Sequence, residues 1–184
     1  MSVVLLDCDG VLADFVGHLI DRLHAQGHEV PRDVTDYDFL RGFGEATGKA
    51  SRALLKDAGH WRSIPPYEGA AGFVDEIRAC GHEVVIVTSP WLSCEAWAHA
   101  RREWLAEHFD VEARDLIVTS RKELVRGDVF IDDHATTVTA WAEKNPRGHA
   151  LLMNRSYTVA DPWPRRFSWD RLTVGSLMVA LESA

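Results

Sequence analysis

Asp7 and Asp9 stand two positions apart at the end of an apolar run in "LLDCDGVLADF", with Gly10 directly after them and Asp14 four residues further on. Like charges this close repel, so the stretch needs a cation beside it or a carboxylate that does chemistry. Thr88 and Ser89 close the run "VVIVTS", and Asp132 and Asp133 close "VFIDD". Turns and caps are rich in Asp, Ser and Thr, which is explanation enough for any one of these pairs. It is a poor one for all three, because ligands of open parallel sheets bind beyond the carboxyl ends of the strands. A hard divalent cation with oxygen ligands relieves such a cluster. Mg²⁺ takes one or two protein carboxylates, keeps waters and shares a phosphate oxygen. Asp7 with Asp132 or Asp133 supplies that pattern. Lys122, ten residues before Asp132, is the candidate cation for a phosphate's remaining oxygens. Zinc is not indicated: His24 and His28 bracket "AQG", and no cysteine joins them at ligand-like spacing.

The elements that carry these residues follow from apolar periodicity. Val3 to Leu6 reads as a buried parallel strand, and Asp14 as the cap of a helix bearing Phe15, Leu19, Ile20 and Leu23, ending near Gly27. From there to Ile64 the chain is polar, aromatic and punctuated by Gly42, Gly44, Gly48 and Gly59, which predicts short helices and turns. "IPPYEGA" marks a boundary, since Pro65 and Pro66 cannot continue a helix. Helical and strand-like runs then alternate: a helix over 71–80, the strand "HEVVIVTSP", a helix over 95–109, the strands "DLIVTS" and "DVFIDD", and a helix over 136–144. "HALLMN" reads as the last strand and Val174 to Glu182 as a closing helix. This alternation predicts a three-layer α/β/α fold, Rossmann-like, with a mostly parallel sheet.

The bulk composition bounds the function. The 184 residues are 46% hydrophobic and 26% charged, ordinary for one globular domain with a small insertion. The net charge of −8 argues against a nucleic-acid polymer or an anionic membrane as partner, while a local pocket can still take a small anion. Cys8, Cys80 and Cys94 are odd in number and form no CxxC pair, so reduced thiols are expected. No signal-type segment follows Met1, and no apolar run approaches the roughly 20 residues that span a bilayer. A cytoplasmic location is the expectation.

Taken in register, the motifs resemble those of the haloacid dehalogenase-like phosphohydrolases. "DCDGV" at 7–11 resembles their first motif, Thr88 after "VVIV" their second, Lys122 their third and Asp132-Asp133 their fourth. Within that superfamily "DCDGVLADF", "VTSP" and "GDVFIDD" look most like the 5′(3′)-deoxyribonucleotidases of the cytosolic and mitochondrial type. "IPPYEGA" resembles the segment by which those enzymes return from cap to core.

The resemblance implies a core of residues 1–14 and 65–184, and a small helical cap of 15–64 inserted after the first strand. Asp7 is then the nucleophile and Asp9 the acid and base. Thr88, Ser89 and Lys122 hold phosphate. Mg²⁺ lies on Asp7, the Asp9 carbonyl and Asp132 or Asp133. Base or sugar contacts fall to Phe15, Phe43, Trp61 and Arg121, each of which has an ordinary structural reading as well. The substrate would be a small phosphorylated molecule, a nucleotide, and a homodimer is left open. A sugar phosphate keeps the chemistry and changes only the cap contacts. A catalytically silent phosphate-binding relative has no need of Asp9. A P-loop kinase or ATPase is not indicated, for want of a GxxxxGK[ST] run.

Overall fold

The computed structural model describes residues 1–170 together with Gly175 and Leu177. Six parallel strands form one sheet in the order β3-β2-β1-β4-β5-β6. They are β1 (Val3–Leu6), β2 (Glu83–Thr88), β3 (Leu116–Val118), β4 (Val129–Asp132), β5 (His149–Met153) and β6 (Arg166–Phe167). The helices are α1 (Phe15–Ala25), α2 (Glu45–Leu54), α3 (Ala58–Arg62), α4 (Ala70–Ala79), α5 (Trp97–Phe109) and α6 (Ala135–Lys144). The expected α/β fold is present.

Alternation along the strands builds two apolar layers. Val4, Leu6, Val84, Ile86, Val129 and Ile131 join the α1, α4 and α5 side chains on one face. Leu5, Val87, Phe130 and Leu152 meet Val138 and Trp141 of α6 on the other. Two differences from the sequence reading stand out. "HALLMN" is not the last strand, because β6 pairs with it through Leu152–Arg166 and Met153–Phe167. Two residues are too few to show a period. Helix α5 starts at Trp97, two residues later than expected. The expected closing helix at 174–182 lies outside the described residues except at Gly175 and Leu177.

The chain leaves and re-enters the sheet region at adjacent points. Asp14 N donates to Pro65 O (2.9 Å) and Tyr67 N to Leu12 O (2.8 Å), so the helical excursion between them is closed at its base. Asp14 caps α1 as expected, accepting from Gly17 N at 3.1 Å. Inside the excursion, Trp61 Nε1 donates to Leu55 O (3.1 Å) and Trp104 Nε1 of α5 donates to Ile64 O (2.7 Å). The first ties α3 to the end of α2 and the second ties α5 to the segment after α3, with both indoles buried.

His60 of α3 is wholly buried, and neither ring nitrogen has a partner among the described residues. Its ring lies 5.0 Å from that of His18. Burial first, then the neighbouring His18, Arg22 and Arg101, push its pKa down from 6.5 to about 4, with Asp57 opposing. Between those values the unfolded chain binds the extra proton, so stability is full above pH 6.5 and falls as pH drops toward 4. Urea midpoints measured from pH 7.5 to 4.5 should fall through this window. The slope should be shallower in His60→Gln than in the native chain.

Candidate active site

Adjacent parallel strands deliver the site. β1 and β4 are neighbours at the middle of the sheet, so Asp7, Asp132 and Asp133 emerge at one edge. Asp7 N donates to Ile131 O at 2.9 Å, continuing the ladder one residue past β1. One oxygen from each of the three carboxylates lies within 4.8 Å of the others, and all three residues are buried. Lys122, also buried, stands between two of them: its Nζ is 2.6 Å from Asp7 Oδ1 and 2.8 Å from Asp132 Oδ2. Burial opposes the lysine's charge, but Asp132 and Asp7 outweigh it and hold its pKa above the ordinary value.

The two members of the aspartate pair have different partners. Both oxygens of Asp132 are engaged, with Lys122 on Oδ2 and His134 N on Oδ1 at 2.8 Å. Asp133 lines the cavity in front, and its Oδ2 accepts from Tyr157 OH at 2.6 Å. Burial, then the neighbouring Asp7 and Asp132, push the Asp133 carboxyl well above the carboxylate range. Asp7 is likewise raised to about 7, by burial first, against the pull of Lys122 and with Asp132 and Asp9 adding to the rise. Asp7 Oδ1 is held by Lys122 and by Cys8 N (2.7 Å), whereas Oδ2 takes no hydrogen bond from a described residue. An oxygen-only, buried and under-compensated set of this kind fits a hard divalent cation.

Asp9 has its own partner beside this cluster. Its Oδ1 is 2.6 Å from Arg101 Nη2 of α5, and its side chain remains 27% exposed at the cavity wall. Thr88, at the end of β2, is buried and lines the cavity beside exposed Ser89, whose Oγ is 3.5 Å from Thr119 O. The cavity measures about 410 Å³. An apolar cluster also lines it: Phe15 stacks on Trp61 with centroids 5.6 Å apart and planes 7° apart, and Trp91 packs against both.

The expected residues Asp7, Asp9, Thr88, Ser89, Lys122, Asp133, Phe15 and Trp61 therefore meet around one cavity. Asp132 stands behind it. Two candidates do not reach it. Phe43 packs edge-on against Phe39, which itself lines the wall, and Arg121 is exposed and paired with Glu123 Oε1 at 2.6 Å. Sequence reasoning missed Tyr157, Tyr37, Arg41 and Trp91 at the wall, and Arg101 behind it. A signal for Arg101 was present: Trp97, Ala100, Arg101, Trp104 and Leu105 form the helical stripe that α5 buries, with a charge in its middle.

With this geometry in place, comparison with known proteins is decisive. The family model described as "5' nucleotidase, deoxy (Pyrimidine), cytosolic type C protein" matches residues 1–174. The chain belongs to this family. It is 29% identical over 182 residues to the human 5′(3′)-deoxyribonucleotidase, cytosolic type, covering 91% of this chain and 89% of the human one. It is 28% identical over 181 residues to the mitochondrial 5′(3′)-deoxyribonucleotidase of Mus musculus, covering 90% and 80%. Among solved structures, a HAD family hydrolase from Deinococcus radiodurans R1 with bound phosphate and sodium superposes with TM-score 0.63 at 16% identity, covering 98% of this chain and 95% of that one. The fold is thus the haloacid dehalogenase-like one. The protein is an enzyme of the phosphoric monoester hydrolase class. No helix among the described residues is long and apolar enough to cross a membrane.

Gly10 shows how tightly the site is built. Its φ is +77°, and a Cβ there would lie 1.8 Å from Asp133 Oδ2 and 2.7 Å from Tyr157 OH. Gly10→Ala should therefore displace the Asp133 carboxylate. We expect phosphatase activity to fall about 100-fold with the far-ultraviolet circular dichroism unchanged. Unaltered activity would show that the Asp133 position is not needed.

Proposed function

We propose that the chain hydrolyses deoxyribonucleoside 5′- or 3′-monophosphates to nucleoside and phosphate, with Mg²⁺, through an aspartyl-phosphate on Asp7, in the cytoplasm. The observation that carries this reading is one cavity with two kinds of lining. Asp7, Asp9, Thr88, Lys122 and Asp133 supply polar groups, and the stacked Phe15 and Trp61 supply an aromatic wall. A phosphate fits the first and the flat apolar face of a base the second. Residues 15–64 serve as the cap over a core of 1–14 and 65–184.

The chemistry follows from the hydrogen bonds. Asp7 Oδ2, the oxygen without a partner among the described residues, attacks phosphorus while Lys122 and Cys8 N fix Oδ1. As the P–O ester bond breaks, Asp9 gives its proton to the departing alkoxide. Asp9 then takes a proton from the water that attacks the aspartyl-phosphate, which releases phosphate and restores Asp7. Lys122 and the Thr88 hydroxyl hold phosphoryl oxygens, and Ser89 stands beside them. Asp133, Asp7 and the Asp9 carbonyl would hold Mg²⁺, which draws charge off the phosphoryl group. Asp133 is preferred over Asp132 for this role because it lines the cavity, whereas both oxygens of Asp132 are engaged by Lys122 and His134 N.

The test is phosphate release from deoxyribo- and ribonucleoside monophosphates, 5′ and 3′, beside several sugar phosphates. Each is run with Mg²⁺, with a chelator, and with Asp7→Asn. Turnover of deoxynucleotides that requires both metal and Asp7 is expected. Turnover of sugar phosphates alone would remove the substrate assignment and leave the mechanism. No turnover of any ester would remove both.

A further inference from the structure

Arg101 is a wholly buried arginine in the middle of a helix face that otherwise carries tryptophan, alanine and leucine. Its guanidinium carbon lies 5.4, 5.9 and 5.3 Å from the ring centroids of Trp61, Trp97 and Trp104. Nη2 donates to Asp9 Oδ1 at 2.6 Å, while Nε and Nη1 have no partner among the described residues. Among those residues Asp9 is its one ion-pair partner.

Stability does not account for this arrangement. Exchange of a buried ion pair for apolar side chains of similar volume is often neutral or favourable. A methionine at this place on α5 would fill the indole cage without the cost of burying a charge and two nitrogens whose N–H groups are unpaired. The pair also joins distant segments: Asp9 sits on the loop after β1, and Arg101 lies 92 residues later. Asp9 lines the cavity, and its Oδ2 is left without a hydrogen bond from a described residue, whereas Oδ1 is held by Arg101.

We propose that Arg101 is the positioning residue of Asp9, holding Oδ1 in the indole cage so that Oδ2 meets the leaving oxygen and, later, the attacking water. This rests on the acid-and-base reading of Asp9 above. Oδ1 accepts from Arg101 whether or not Oδ2 carries the proton, so one bond serves both halves of the cycle. The proton moves only between Oδ2 and the leaving alkoxide, and then between the water and Oδ2. The three indoles exclude competing partners, which leaves Asp9 as the place where the guanidinium is satisfied.

The signature of such a role depends on the leaving group. A deoxynucleoside alkoxide needs Asp9's proton, whereas p-nitrophenolate departs without one. The experiment compares first-turnover release of the leaving group from a deoxynucleoside monophosphate and from p-nitrophenyl phosphate, in Arg101→Met and Arg101→Lys. In Arg101→Met the deoxynucleoside rate should fall about 10- to 100-fold with KM nearly unchanged, and the nitrophenolate rate by less than about threefold. Arg101→Lys, which restores a cation to the cage, should recover much of the loss. Equal losses on both esters, or none on the deoxynucleotide, would overturn the proposal. If Arg101→Met does not fold, the same comparison in Arg101→Gln, which also removes the cation, decides: a loss selective for the deoxynucleotide supports the role, and an equal loss or no loss removes it. Asp9→Asn separates the two readings. An active Asp9→Asn refutes the role of Asp9 itself, whereas an inactive one beside a fully active Arg101→Met refutes only that of Arg101.

Discussion

Four carboxylates, Asp7, Asp9, Asp132 and Asp133, gather at the carboxyl edge of β1 and β4, and among the described residues two cations pair with them. Lys122 bridges Asp7 and Asp132, Arg101 pairs with Asp9, and two negative charges are left over. Buried charge without compensation is costly, so the excess appears as raised pKa values at Asp7 and Asp133, driven first by their burial. One dication balances the count. A phosphate group brought to that ion then finds Lys122 and Thr88 beside it. The parallel pairing of β1 with β4 makes this possible, because it sets both carboxyl ends on one side of the sheet.

The surrounding loops keep the carboxylates where the charges need them. Gly10 turns the chain at a φ that a side chain would resist, and passes so close to Asp133 that no Cβ fits. Arg155, on the loop between β5 and β6, donates to Gly10 O at 2.6 Å, and Tyr157 from the same loop donates to Asp133. A segment some 145 residues away in sequence therefore clamps both the turn and the acid beside it. Across the cavity, Tyr37 stacks on His134 at 4.0 Å and brings the helical excursion over the start of α6. Polar chemistry and apolar wall thus come from different parts of the chain and meet through these contacts.

The residues that emerge directly from strands were legible in the sequence. An apolar run ending in Asp, Thr or Asp-Asp fixes both the strand and the edge at which its last side chain stands, so Asp7, Thr88, Asp132 and Asp133 fell into place by position. Lys122 was legible because its stretch is short and lies between two such strands. The wall was harder. Phe15 sits one residue past a helix cap and Trp61 within a short helix, and both line the cavity. Phe43 has the same composition around it yet packs on Phe39. Irregular segments carry no period that says which way a side chain points. β6 and Tyr157 were illegible because a two-residue strand and a loop residue gain their roles only through tertiary contact. Arg101 lay between: its helical stripe was readable, but its partner was not.

The central claim, that the site carries two uncompensated negative charges which one dication balances, is tested most directly by titrating the metal-free protein with Mg²⁺. Heat of binding and melting temperature are followed in the native chain and in Asp133→Asn. The account predicts one Mg²⁺ per chain, a melting temperature that rises with Mg²⁺ concentration by mass action, and loss of both in the variant. Binding of no metal by the native chain, or equal binding by Asp133→Asn, would contradict it.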